Sequence, residues 1–179
     1  MKYFLSFSTV LLIIIVFNFR PYDFSKIRWT NAKCFSFNQS WVRINQCRLK
    51  AIKRDMTVFN FNATFLHPTK DIVARFRVFK RENGYKPWLF NIKYDCCRFL
   101  RKPYDAFGAF VYKLYKEFSN INHTCPMHGD MLIQGMYLRT DLFNLPMPTG
   151  DFLFSTYWYF YEKPQFEVNV SYEFIENLI

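Results

Sequence analysis

Phe59-Asn60-Phe61-Asn62-Ala63-Thr64-Phe65 sets an apolar residue at every odd position and a polar one at every even position. Phe166-Glu167-Val168-Asn169-Val170-Ser171-Tyr172-Glu173-Phe174 repeats the pattern for nine residues. Strict alternation is the mark of a β-strand with one buried and one wet face. Asn62 and Asn169 each open an Asn-X-Ser/Thr triplet on the polar side. A glycan must face water, so these sequons and the alternation agree on which face is outside. Phe59, Phe61, Phe65, Phe166, Val168 and Tyr172 are then expected to point inward.

Working outward, other segments read the same way. Cys34 to Ser40 reads as a lead-in loop and Trp41 to Arg48 as a strand. Met56 to His67 contains the first alternating run and is closed by Pro68. From Asp71 to Lys80, Ile72, Ala74, Phe76 and Val78 share one face. Asn83-Gly84 signals a hairpin, because this pair readily takes the positive φ such turns require. Pro87 opens the return strand, Trp88 to Cys96. Phe152 to Tyr161 is apolar on both faces, which predicts a deeply buried strand or one lining a pocket. Glu162-Lys163-Pro164 turns into the last strand. Met131 to Arg139 fits a strand with a bulge at Gly135, or a helix.

Between Tyr104 and Phe118 the period changes. Phe107, Phe110, Val111, Leu114 and Phe118 recur at spacings of three and four, with Lys113, Lys116 and Glu117 opposite. This predicts one amphipathic helix, capped by Asp105 after Pro103. Six or seven strands with one inserted helix predict a mainly β fold, a two-sheet antiparallel sandwich.

The chain has 179 residues and a formal charge of +10. Lys2, an uncharged run from Tyr3 to Phe19, and Arg20 read as a signal peptide over 1–18, with cleavage near Val16-Phe17-Asn18. Retention as a short anchor is the other reading of this run. Residues 19–33 read as a short lead and 34–179 as a single domain. Four sequons, at Asn38, Asn62, Asn122 and Asn169, suit passage through the secretory pathway. Behind a signal sequence nucleic acid is not an expected partner. Anionic lipid heads, acidic glycans or a carboxylate suit the charge better, and membrane contact would be peripheral rather than spanning.

In an oxidising compartment, Cys34, Cys47, Cys96, Cys97 and Cys125 make two disulfides and one free thiol. Cys34–Cys47 would close a short loop. Cys125 would take Cys96 or Cys97. On a strand these two point to opposite faces, and Cys96 continues the inward series Trp88, Phe90, Ile92, Tyr94. Cys96 is therefore expected to be the buried free thiol and Cys97 the partner of Cys125.

No nucleophile elbow, P-loop, HExxH or dinucleotide-binding glycine run occurs, so no enzyme is expected and no cofactor is implied. His123-Thr-Cys125-Pro-Met-His128 gathers possible metal ligands, but a cysteine in a disulfide cannot ligate, so no metal is expected. Aromatic residues make up 22% of the chain. Large rings can fill a core or line an apolar pocket.

A set of ordered motifs adds a resemblance. Trp41-Val-Arg-Ile-Asn-Gln-Cys47-Arg-Leu-Lys-Ala51, Leu66-His67-Pro68, Asn83-Gly84-Tyr85-Lys86-Pro87-Trp88, Cys97-Arg98-Phe99-Leu100, Asn120-Ile-Asn-His-Thr-Cys125-Pro126 and Leu145-Pro146-Met147-Pro148-Thr149-Gly150-Asp151 resemble a large insect secreted family of unknown function, numbered 1091 among such domains. It is allied to the CheB chemosensory proteins. Through them it resembles the ML lipid-recognition and ganglioside-activator proteins, immunoglobulin-like β-sandwich cups that hold lipids between two sheets. In the family pattern one cysteine precedes Arg/Lys-Phe-Leu. Cys97 holds that position here, and Cys96 replaces a usual small residue.

The resemblance implies a secreted, glycosylated carrier or presenter of an apolar small molecule: a lipid, a cuticular hydrocarbon or another semiochemical, in chemosensation. The expected lining is Phe76, Trp88, Phe90, Phe154, Trp158 and Phe174, with Phe107, Phe110 and Leu114 of the helix as a wall or lid. Lys and Arg at the rim would orient a polar head. The alternative is an extracellular interaction module with a filled core that binds a receptor or glycan. Cavity size discriminates: roughly 300 Å³ or more favours the carrier, close packing the module.

Overall fold

The structure is a computed structural model and describes residues 25–54, 56–142 and 147–176. The expected signal peptide, 1–18, lies outside these residues. Among the described residues eight strands form two antiparallel sheets. The five-stranded sheet has the order β1 (Lys26–Ser36), β8 (Lys163–Ile175), β7 (Gly150–Phe160), β4 (Ile72–Glu82) and β5 (Gly84–Asp95). The three-stranded sheet has the order β2 (Val42–Lys53), β3 (Met56–Thr69) and β6 (Met127–Met136). Helices α1 (Cys96–Arg101) and α2 (Ala106–Tyr115) lie between β5 and β6 in the chain. The fold is the expected mainly β sandwich.

Alternation places the side chains as predicted. Phe59, Phe61, Ala63 and Phe65 of β3 are buried, as are Ile72, Ala74, Phe76 and Val78 of β4. In β8, Phe166, Val170, Tyr172 and Phe174 are buried. Between the sheets Phe61 stacks on Phe166 at 6.3 Å, and Phe65 meets Phe160 at 5.0 Å. The doubly apolar run is β7, the middle strand of five. Its outward tyrosines are partly covered by cations: Arg77 lies 4.8 Å over Tyr157, and Lys93 lies 5.9 Å over Tyr159.

Two expectations are corrected, and one open alternative is decided in favour of the strand. First, the stretch 19–33 is not merely a lead, because Lys26 to Lys33 belong to β1, which continues through the supposed loop to Ser36. The register shifts between Trp29 and Asn31, so the inward set changes phase from Ile27 and Trp29 to Ala32 and Cys34. A bulge of this kind hides a strand from any search for strict alternation. Second, Cys96 ends no strand. It begins α1, where Asp95 caps the helix by accepting from the Arg98 amide at 2.8 Å. Third, the segment left open at Met131 is strand β6, with a register shift between its pairings at Ile133 and Met136.

The disulfides are Cys34–Cys47 and Cys97–Cys125, and Cys96 is free. The pairing stands although its face argument does not, since Cys96 and Cys97 sit on a helix. Cys34–Cys47 joins β1 to β2 and so ties one sheet to the other. Cys97–Cys125 ties α1 to the segment entering β6. Two disulfides suit an oxidising compartment. Among the described residues no helix is long and apolar enough to cross a membrane.

A candidate apolar ligand cavity

Two roofs cover the five-stranded sheet. The three-stranded sheet faces β1, β8 and β7, while α1 and α2 cover β4 and β5. A second apolar cluster marks the helix-covered part: Ala74, Phe76 and Tyr94 from the sheet, with Val111, Phe107 and Phe110 from α2. Asp105 starts α2 by accepting from the Gly108 amide at 2.9 Å and also accepts from the Tyr94 hydroxyl. That hydrogen bond from Tyr94, chiefly, holds the Asp105 carboxyl below its ordinary pKa. Burial first, then the same bond, raises that of Tyr94. Gly108 lets the helix approach closely: a Cβ there would lie 2.9 Å from the Tyr94 ring and 3.0 Å from the Phe99 ring.

β5 is an edge strand, and it is bulged. Val78 pairs with Trp88 but Arg77 pairs with Asn91, so two extra residues, Leu89 and Phe90, are inserted. Leu89 takes the left-handed conformation (φ 47°) and is 67% exposed. Phe90 leaves the sheet surface to stack on Phe107 at 4.3 Å.

Where the roofs meet, a cavity of about 190 Å³ runs from beneath β3 and β6 to beneath α2. Phe76, Trp88, Phe90, Phe107, Phe110, Leu114, Phe154 and Trp158 all line it. Phe174 does not. It is buried near the end of β8, paired with Ile27 and Gly150, away from the lining. Phe59, Phe61 and Phe65 face the same space, with Met127, Met131, Ile133 and Met136 along β6. The methionines escaped sequence reading because the register shift in β6 breaks their spacing. Among the described residues no Lys or Arg lines the cavity. Basic side chains sit on outer faces, as Arg75 does beside Asn91 at 2.9 Å.

The polar groups of the walls are few. Cys96 lines the cavity, and burial pushes its thiol up to about 12, so it stays protonated at neutral pH. Thr156 is a buried hydroxyl on β7, facing inward. Tyr94, Tyr112, Tyr115 and Tyr172, with the indole N–H groups of Trp29, Trp88 and Trp158, complete the set. Cys125 is bonded to Cys97 and so is no metal ligand, and among the described residues no cluster of three metal-binding side chains occurs.

The sequons differ in setting. Asn122 is exposed. Asn62 is half-buried on the outer face of β3, accepting from Asn45 Nδ2 at 3.1 Å. Asn38 sits in the turn before β2 and accepts from the Ser40 hydroxyl at 2.6 Å. Asn169 faces outward on β8, but its Oδ1 is buried without a partner among the described residues.

This geometry coincides with a sequence relationship. Residues 74–154 match the model of a family described as a protein of unknown function, DUF1091. The match runs from β4 to β7. It therefore spans the bulged edge strand, both helices and β6, the parts that build the helix-covered side of the cavity. No curated protein matches the chain.

Proposed function

We propose that the protein is a secreted carrier or presenter of a compact apolar small molecule held between its sheets. The observation that carries this reading is the cavity: about 190 Å³, walled almost wholly by hydrocarbon and aromatic surface. The volume lies below the roughly 300 Å³ at which drug-sized sites begin. It exceeds the roughly 150 Å³ apolar cavity known to take a benzene-sized guest. The guest is therefore a molecule of one ring or a medium-length chain rather than a two-tailed lipid. Burying about 200 Å² of such a guest contributes about 5 kcal/mol before association costs. Affinity is then modest, which suits uptake and release. The disulfides and sequons support a secretory setting. The resemblance to chemosensory and lipid-recognition relatives would make the guest a semiochemical or a small lipid.

A second reading, an extracellular interaction module, draws on one surface feature. Phe35 and Phe37 are 58% and 43% exposed, and Phe37 stacks on Tyr157 on the outer face of the larger sheet.

Trp29, Trp88 and Trp158 all line the cavity, so its occupancy changes intrinsic fluorescence. Titration with alkylbenzenes is expected to give a saturable change. Leu114→Phe, which fills the space beside α2, should suppress it with the circular dichroism spectrum intact. Solvent extraction of protein secreted by eukaryotic cells should release a small apolar compound. If nothing is extracted and no alkylbenzene saturates the wild type, the carrier reading fails and the module remains.

A further inference from the structure

An apolar cavity binds by area, but area does not choose among guests of one size. Selectivity needs a polar group that water does not already satisfy. Four tyrosines in the walls could supply one. The Tyr94 hydroxyl donates to Asp105, and that of Tyr112 donates to the Ile121 carbonyl at 3.1 Å. Tyr172 is engaged elsewhere. Tyr115 differs. It sits at the last residue of α2, its ring edge-on to Tyr112 at 5.4 Å, and packs against the same apolar cluster as Cys96, Phe154 and Trp158. Tyr115 is half-buried and lines the cavity, and its hydroxyl has no hydrogen-bond partner among the described residues. Burial first, then the neighbouring Cys96 and Tyr112, raises its pKa far above that of a free phenol, so it remains a donor.

Buried donors in native interiors are nearly always satisfied. A phenol left facing an apolar cavity is a place for an acceptor to arrive with the guest. Its neighbour Cys96 is a weak donor, not an acceptor of comparable strength. We propose that Tyr115 is the polar anchor of the cavity: the guest is a compact hydrocarbon bearing one hydrogen-bond-accepting oxygen, as in a small ketone, aldehyde or ester, and the Tyr115 hydroxyl donates to it. This rests on the carrier reading above.

The test compares acetophenone with ethylbenzene, which have nearly the same shape and differ in the carbonyl. Affinities are measured by calorimetry on the whole secreted chain. Tyr115→Phe keeps the ring and removes only the oxygen. It is expected to weaken acetophenone about five- to tenfold, the worth of one buried hydrogen bond, and to leave ethylbenzene unchanged or slightly tighter. Thr156→Val removes the competing wall hydroxyl on β7 at near-equal volume, and so asks whether that residue is the anchor instead. Equal loss of both ligands in Tyr115→Phe would make the residue a packing element and overturn the proposal. So would selective loss of acetophenone in Thr156→Val instead, or an unchanged acetophenone affinity in Tyr115→Phe. If the wild type binds neither compound, the carrier reading falls with it; if it binds both without a Tyr115 effect, only the anchor falls.

Discussion

The two ends of the interior are built on the same sheet and roofed differently. Under β2, β3 and β6, strand faces strand, and aromatic rings meet across the sheets: Phe61 stacks on Phe166 at 6.3 Å, and Phe65 meets Phe160 at 5.0 Å. Under α2, a helix lies over β4 and β5. Its contacts include Gly108 against Tyr94, Val111 in the cluster with Ala74 and Phe76, and the stacked pair Phe90 on Phe107. A pleated face meets another pleated face along its whole length. A ten-residue helix meets a bulged strand at a few points. The cavity opens beside the second kind of contact, so the roofing element decides where space is left.

The largest effect should come from cutting the staples. By the loop-entropy account, losing either disulfide costs about 3–4 kcal/mol. Function should separate them. Cys97→Ser with Cys125→Ser frees the helix roof, so alkylbenzene binding should be lost along with stability. Cys34→Ser with Cys47→Ser should lower the denaturation midpoint by a similar amount yet keep binding in the folded fraction. Equal loss of binding in both would dissolve the contrast.

Next, Gly108→Ala should lower stability by about 1–3 kcal/mol, because its Cβ would enter two aromatic rings. Helix propensity alone predicts a gain of about 1 kcal/mol. The sign of the change in urea midpoint therefore reports how tightly α2 is seated.

Alkali should attack this end as well. The Cys96 thiol ionises near 9 in an unfolded chain and near 12 in the fold. A raised pKa stabilises the fold below the unfolded value, and that contribution is lost as pH rises from about 9 through about 12. Cys96→Ala should flatten this part of the stability profile. An unchanged slope would mean the thiol is not enclosed.

The smallest effect concerns the bulge. Leu89→Gly relieves a left-handed leucine and should change stability by less than about 1 kcal/mol in either direction, since glycine also costs backbone entropy. Guest affinity should hold, because Leu89 points to solvent.

Most of the sandwich was legible because regular strands write their burial into the sequence. β3, β4 and β8 alternate without interruption over their inward residues, β7 shows as a run apolar on both faces, and the three- and four-residue spacing of Phe107, Phe110, Val111 and Leu114 wrote α2. The illegible parts share a cause. β1 changes phase at its bulge, β6 does so near Gly135, and α1 is too short to show a period. Each irregularity reverses or erases the pattern on which the reading depends. The cavity is bordered by all three, so its aromatic walls could mostly be named from sequence and its methionine wall could not. Tyr115 was invisible for another reason: no pattern of residues reveals that one hydroxyl among four lacks a partner.

The bulge in β5 also has a consequence at the surface. β5 is a free edge, with backbone groups that could recruit a strand from another molecule. Leu89 and Phe90 break the ladder there, and Pro87 just before them has no amide hydrogen to offer. The insertion that carries Phe90 to α2 therefore also blunts the border against strand-by-strand self-association, a hazard that a protein of the proposed secreted kind would have to meet through its own shape.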